Sequence, residues 1–338
     1  MKKQLDWDTL GFNYLDTESH IRYVWRHGHW GKGRIVKTPY VRLHIAATAL
    51  HYGQAAFEGL KAFACKDGAI RIFRPDMNAR RMATTARRIC MPEIPEEMFL
   101  DAVRRVIKAN REFVPPYGTG GSLYIRPLLF GSGAQIGVSP AQEYVFLIMV
   151  VPVGAYYKGG LTPVRAIVFD EYHRAAPLGT GHIKVAGNYA ASLEPHLIAH
   201  RRGFEVELYI DAREHKYIEE FGTSNFIGIT KDGHYVTPKS GSILPSVTNA
   251  SLQQVARDLG IPVEVRPVTF DEAEHLAEAA ACGTAVVITP VNEIVRGHRT
   301  FRIGPATGCG PILEKLYRRI TAIQTGDAPD VHGWCVEL

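Results

Sequence analysis

The sequence predicts a two-lobed α/β (α+β) protein, and three observations lead there. The chain has 338 residues, about twice the ~150 residues of an ordinary domain. Strand-like runs alternate with helical patterns in two blocks. A short segment rich in glycine and tyrosine, Gly154-Ala155-Tyr156-Tyr157-Lys158-Gly159-Gly160, separates the blocks, as an interdomain linker would. The expected division is a smaller N-terminal α/β domain over 1–153, a linker over 154–162 and a larger C-terminal domain over 163–338.

In the first block, residues 43–50 lead into 55–64 and then 69–73. Pro75-Asp76 opens a helix that runs to about Cys90, where Met91-Pro92 stops it. Pro95 opens another, with Phe99, Val103, Val106 and Ile107 at helical spacing. Pro115, Pro116, Gly118, Gly120 and Gly121 make a loop, strands follow at 123–130 and 144–151, and a glycine-rich loop, 131–137, lies between them. The second block has expected strands at 164–169, 205–210, 225–229 and 285–288, and helices at 188–201, 249–259, 271–281 and 312–325. Pro195 should kink or break the first of those helices. No fixed-period repeat and no low-complexity tract is present.

Composition excludes several classes. With 46% hydrophobic and 22% charged residues, the chain is globular rather than disordered. A net charge of +5 spread along the chain does not point to nucleic acid. The five cysteines, Cys65, Cys90, Cys282, Cys309 and Cys335, are an odd number and form no C-x-x-C, so a reduced, cytoplasmic setting is expected. Residues 1–8 hold two lysines with no apolar run behind them, unlike a secretory signal. The longest apolar run, 144–151, is too short to span a bilayer. His196 and His200 stand four apart, but with no H-E-x-x-H, no paired cysteines and no third ligand suggested, no metal centre is expected. Gly131-x-Gly133 is followed by Gly137, one residue late for a dinucleotide fingerprint.

Four segments can carry chemistry. In 179–189 Lys184 stands among glycines and small apolar residues. Apolar surroundings lower a lysine's pKa and make it a nucleophile for carbonyls, although most lysines in such loops are simply exposed. In 217–225 Glu220 precedes a tight glycine turn, where a carboxylate can pair with a cationic ring nitrogen or be only a surface acid beside Glu219. Ser246 and Thr248 cap an expected helix, whose free amides suit a phosphate. Gly283-Thr284-Ala285 is a turn with amides and a hydroxyl for an anion. Together these supply a Schiff-base lysine, an acid and a phosphate cup, which is what pyridoxal 5'-phosphate needs.

With these segments in order, the sequence resembles the branched-chain amino-acid aminotransferases, class IV (fold-type IV, D-amino-acid aminotransferase-like) pyridoxal-phosphate enzymes. The resemblance runs from about Leu43 to Gln324 and rests on His51-Tyr52-Gly53-Gln54-Ala55-Ala56-Phe57-Glu58-Gly59, Ser122-Leu123-Tyr124-Ile125-Arg126-Pro127, the lysine segment, and the stretches 220–225, 243–248 and 283–285. It implies two lobes with the cofactor between them and the cofactor domain C-terminal. It makes Lys184 the Schiff-base lysine and proton carrier, Tyr189 the phenol on the cofactor's O3′, and Glu220 the acid at the ring nitrogen. Arg81, the amides of Val247 and Thr248, and Thr284 would hold the phosphate. Tyr52, Phe57, Tyr124 and Tyr156 would form an aromatic wall for leucine, isoleucine or valine side chains. The Thr284 and Ala285 amides and a tyrosine hydroxyl would meet the α-carboxylate, with Thr223 also in the substrate site. Arg126 would meet the γ-carboxylate of glutamate. Ile136 and Val138 match a loop that completes the partner subunit's wall, so a homodimer is implied, with higher assembly open.

The implied reaction moves an amino group between a branched-chain amino acid and 2-oxoglutarate, giving the 2-oxo acid and glutamate. The redox C-x-x-C of mammalian members is absent, with Val286 and Thr289 in its place. Rivals of the same fold are a D-amino-acid transaminase, a specialised biosynthetic transaminase and a pyridoxal-phosphate lyase. Tyr124-x-Arg126 and the aromatic wall favour the branched-chain reading.

Overall fold

A computed structural model describes residues 5–7, 9–154 and 161–338. In chain order its first strands and helices are β1 (His20–Arg26), β2 (His29–Trp30), β3 (Arg34–Val36), α1 (Thr48–Tyr52), β4 (Ala55–Phe57), β5 (Leu60–Ala64), β6 (Ile70–Phe73), α2 (Pro75–Arg88), α3 (Glu96–Ala109), β7 (Ser122–Gly131) and β8 (Tyr144–Val153). The rest are β9 (Val164–Val168), α4 (Ala186–Ala190), α5 (Leu193–Arg201), β10 (Val206–Ile210), β11 (Ile218–Phe221), β12 (Asn225–Ile229), β13 (Tyr235–Pro238), α6 (Val247–Asp258), β14 (Val263–Arg266), α7 (Phe270–Ala273), β15 (Glu278–Gly283), β16 (Val287–Arg296), β17 (Arg299–Arg302), α8 (Pro311–Gln324) and β18 (Cys335–Glu337).

The chain forms two compact units. One comprises Met1–Tyr156, Lys184–Gly187 and Ala322–Leu338; the other comprises Tyr157–Ile183 and Asn188–Thr321. Both are discontinuous in sequence, which a linear division cannot anticipate. The expected linker over 154–162 falls mostly outside the described residues.

The first unit is built on a sheet in the order β18-β6-β5-β7-β8-β1-β2, with β3 beside β1 and β4 beside β7. Successive strand side chains point to opposite faces, and β7 uses both. Leu123, Ile125 and Leu129 enter a core with α2 and α3 through Ala79, Met82, Ala86, Phe99, Val103, Val106 and Ile107. Tyr124 and Arg126, two apart, share the other face. Pro75 is preorganised for the first turn of α2, and Cys90, with φ of 55°, follows its end. The expected stretch 55–64 divides into two strands at Glu58-Gly59.

The second unit pairs β11-β10-β9-β16-β15-β12-β13-β14, and β11 also pairs with β12, closing six strands into a ring. That closure pairs Glu220 with Asn225.

Three expectations are corrected. The helix over 271–281 is the short α7 followed by β15: the alanine-rich stretch favours helix locally, but its ladders to β12 and β16 and its burial on both faces override that weak preference. The strand over 285–288 begins only at Val287, and 284–286 form a turn that follows a strand rather than a helix. The helix over 188–201 is two helices, broken at Ala191-Ser192. Pro195 is the third residue of α5, where a backbone N–H has no partner within the helix, so it removes no hydrogen bond.

Candidate active site

In the first unit, β4 and α2 fix Lys184. Its carbonyl accepts from the Phe57 N–H at 3.2 Å, and its own N–H donates to Thr85 Oγ1 of α2 at 3.0 Å. The Nζ stands 4.8 Å from the Phe57 ring centre. Burial pushes the amine down to about 8, Arg81 and Arg126 push the same way, and Glu58 and Tyr124 oppose them. Lys61 on β5 is also pushed down to about 8 by burial.

One turn of α2 before Thr85, Arg81 forks onto Glu58, with Nε to Oε1 and Nη2 to Oε2 both at 2.7 Å. Glu58 is wholly buried and also accepts from Asn78 Nδ2 at 2.7 Å. Its motif is visible in the sequence, but its buried charge is not. The only local signal is an acid interrupting an apolar strand pattern.

Arg126 donates through Nη2 to the Tyr124 hydroxyl at 2.9 Å. Its guanidinium carbon lies 4.9 Å from the Phe57 ring centre and 5.2 Å from that of Tyr124, and its buried Nε has no hydrogen-bond partner among the described residues. Gly59 is required here, because a Cβ would run into the Tyr124 hydroxyl. Phe57, Tyr124, Arg126, Arg81 and Lys184 therefore come together. Tyr52 lies further out and donates to the Ile136 carbonyl. Ile136 and Val138 are 72% and 88% exposed. Tyr156 lies outside the described residues.

In the second unit, Glu220 is buried on β11. It accepts from Asn225 Nδ2 at 2.9 Å and from the Leu244 N–H at 3.2 Å. Burial pushes it up to about 7, against the pull of Arg174 and those donors. Arg174, which no motif marked, places Nε 3.7 Å from Glu220 Oε1 and its guanidinium carbon 5.6 Å from the ring centre of Tyr189 on α4. Asn249 in the first turn of α6 joins the same network through Asn225, at 3.3 Å. Ser246 caps α6 by accepting from the Asn249 N–H at 3.1 Å. Val247 and Thr248 begin that helix, where amides lack partners inside the helix.

Thr223 sits in the turn from β11 to β12, and Thr284 and Ala285 in the turn from β15 to β16. Pairing of Asn225 with Cys282 puts both turns at one end of the sheet. Val287, next along, has φ of 68°, a rare and strained value for a β-branched residue. Cys282 is buried, and burial raises its thiol's pKa, as suits an inert packing residue. No group of three or more His, Cys, Asp or Glu among the described residues could hold a metal ion. No helix among them is long and apolar enough to cross a membrane.

A buried amine beside aromatic rings, next to an arginine forked onto a buried carboxylate, has the surroundings of an amine nucleophile. Residues 55–294 match the amino-transferase class IV family. The chain belongs to that family. It is 47% identical to the branched-chain-amino-acid aminotransferase of Haemophilus influenzae, over 99% of each protein. Its fold is similar to the crystal structure of Escherichia coli branched-chain amino acid aminotransferase, with a TM-score of 0.78 and 28% identity over 93% of this chain and 98% of that one. It is equally similar, at 0.78 and 26% identity over 93% and 97%, to the T.th. branched-chain amino acid aminotransferase with pyridoxamine 5'-phosphate.

Proposed function

We propose that the chain transfers amino groups between L-leucine, L-isoleucine or L-valine and 2-oxoglutarate, with pyridoxal 5'-phosphate as cofactor. The observation that carries this reading is the Lys184 cluster. A nucleophilic amine stands at an aromatic wall that also holds Arg126, with a buried and unfilled Nε. One pocket can then take an apolar side chain and, in turn, the γ-carboxylate of glutamate. Burying such an apolar side chain is worth about 1.5–3 kcal/mol.

The residues fit the cofactor. At a pKa of about 8, Lys184 near neutral pH has roughly two orders of magnitude more neutral amine than an ordinary lysine. Buried Glu220 suits a cationic ring nitrogen, and the α6 amides suit a phosphate. When bound, the cofactor supplies an electron sink for the bond broken at the substrate Cα.

The chain's own residues do the rest. Lys184 would hold the cofactor through its amine, and its Nζ, when free, would carry the proton from the substrate Cα. Tyr189 meets O3′. Arg81, Thr284 and the amides of Val247 and Thr248 would hold the phosphate. Tyr52, Phe57 and Tyr124 would exclude water from the side chain, and Tyr156, expected in the same wall, lies outside the described residues. The Thr284 and Ala285 amides hold the α-carboxylate, with Thr223 beside them. Exposed Ile136 and Val138 suit burial against a second copy, hence a homodimer. The cysteines, free among the described residues, suit a reducing cytoplasm.

A donor panel tests the reading. With the cofactor and 2-oxoglutarate, leucine, isoleucine and valine should form glutamate fastest. D-alanine as the preferred donor, or release of a fragment without amino transfer, would replace it with one of the rival activities.

A further inference from the structure

Arg174 is a buried charge without a task in the scheme above. Its side chain is 2% exposed, and its Nε and Nη1 have no hydrogen-bond partner among the described residues. A guanidinium removed from water and short of acceptors is costly, so its surroundings decide what it does. Glu220 Oε1 lies 3.7 Å from its Nε, and the Tyr189 ring centre 5.6 Å from its guanidinium carbon. These are the acid and the phenol assigned above to one cofactor ring.

The groups facing Glu220 can be named from every side. Asn225 and the Leu244 N–H donate to it, Glu219 adds a like charge from the same strand, the Cys282 thiol faces it from β15, and Arg174 is the cation. At 3.7 Å the arginine supplies charge without occupying a carboxylate lone pair. Each oxygen already accepts one hydrogen bond and can accept another.

We infer that Arg174 is a positioning residue that keeps Glu220 ionised and its carboxylate open toward the cofactor's ring nitrogen. This rests on the reading that Glu220 receives that nitrogen. Burial alone drives Glu220 toward its neutral form, and Arg174 is the largest influence opposing it. A neutral Glu220 would leave a cationic ring N–H without its counter-charge.

The test uses apoprotein and two probes: pyridoxal 5'-phosphate, and its carbocyclic analogue with C–H in place of the ring nitrogen. Affinities are read from quenching of tryptophan fluorescence. Arg174→Gln should bind the natural cofactor about tenfold or more weakly, the scale of one charged hydrogen bond, and bind the analogue as wild type does. Arg174→Lys should restore most of the difference. Equal weakening toward both probes, or unchanged affinity for the natural cofactor, would overturn the inference. Should Arg174→Gln take up neither probe, Arg174→Lys carries the test. If it binds the analogue normally but no longer prefers the nitrogen-bearing ring, the charge is not the agent. Glu220→Gln separates the two levels of the argument: if it keeps the wild-type preference, the assignment of Glu220 itself fails.

Discussion

Replacing Lys184 by methionine should stabilise the apoprotein. In the fold the amine's pKa is about 8, against the ordinary 10.5, because burial and Arg81 disfavour its charge. Below pH 8 the lysine is protonated in both the folded and the unfolded chain, and the folded form bears the whole penalty. Between about 8 and 10.5 the folded protein has released the proton and the unfolded chain still holds it, so the penalty fades as pH rises. Above 10.5 it is gone. The difference corresponds to roughly 2–3 kcal/mol after allowance for partial solvent access. Methionine keeps the unbranched stem without the charge. Urea unfolding of both apoproteins at about pH 6.5 should therefore favour Lys184→Met by that amount. At about pH 9.5 the advantage should fall to about half. An advantage that does not change with pH would refute the reasoning, because only the lysine's titration makes it vary.

Arg126→Ala should lower kcat/KM for glutamate by about tenfold to a hundredfold more than for leucine, the scale of a lost charged hydrogen bond; equal losses would mean that Arg126 only shapes the pocket. Glu58→Gln leaves Arg81 without its buried anion and should destabilise the apoprotein by about 3–5 kcal/mol in urea, so a loss near zero would place the fork in solvent. Gly59→Ala drives a methyl into the Tyr124 hydroxyl and should cost about 1–3 kcal/mol while lowering turnover, and unchanged turnover would show that the tyrosine's position is not critical.

The sequence shows the long helices well, because their ends carry chemical signals. Pro75, Pro95 and Gly260 mark α2, α3 and α6 within a residue or two. Short strands such as β3, β11, β13 and β18 carry no signal of their own and exist through their partners. β15 reads as helix because its alanines hide that it is paired on both sides. For the site, the motifs place Lys184, Glu220 and Tyr124-x-Arg126 in informative surroundings. What they cannot convey is which charge is buried against which. Arg81 finds Glu58 from a separate element, and Arg174 finds Glu220 from 46 positions earlier in the chain. Such pairings arise from tertiary contact and leave no spacing to read.

Burial brings both Lys184 and Lys61 to a pKa of about 8, and the proposed role of cofactor carrier falls to Lys184 alone. Borohydride treatment of the pyridoxal-phosphate-loaded protein, followed by proteolysis and mass analysis, tests it directly. The expected product is a pyridoxyl group on the peptide that holds Lys184. A label on Lys61, the other amine that burial brings to a pKa of about 8, or no label at all, would contradict it.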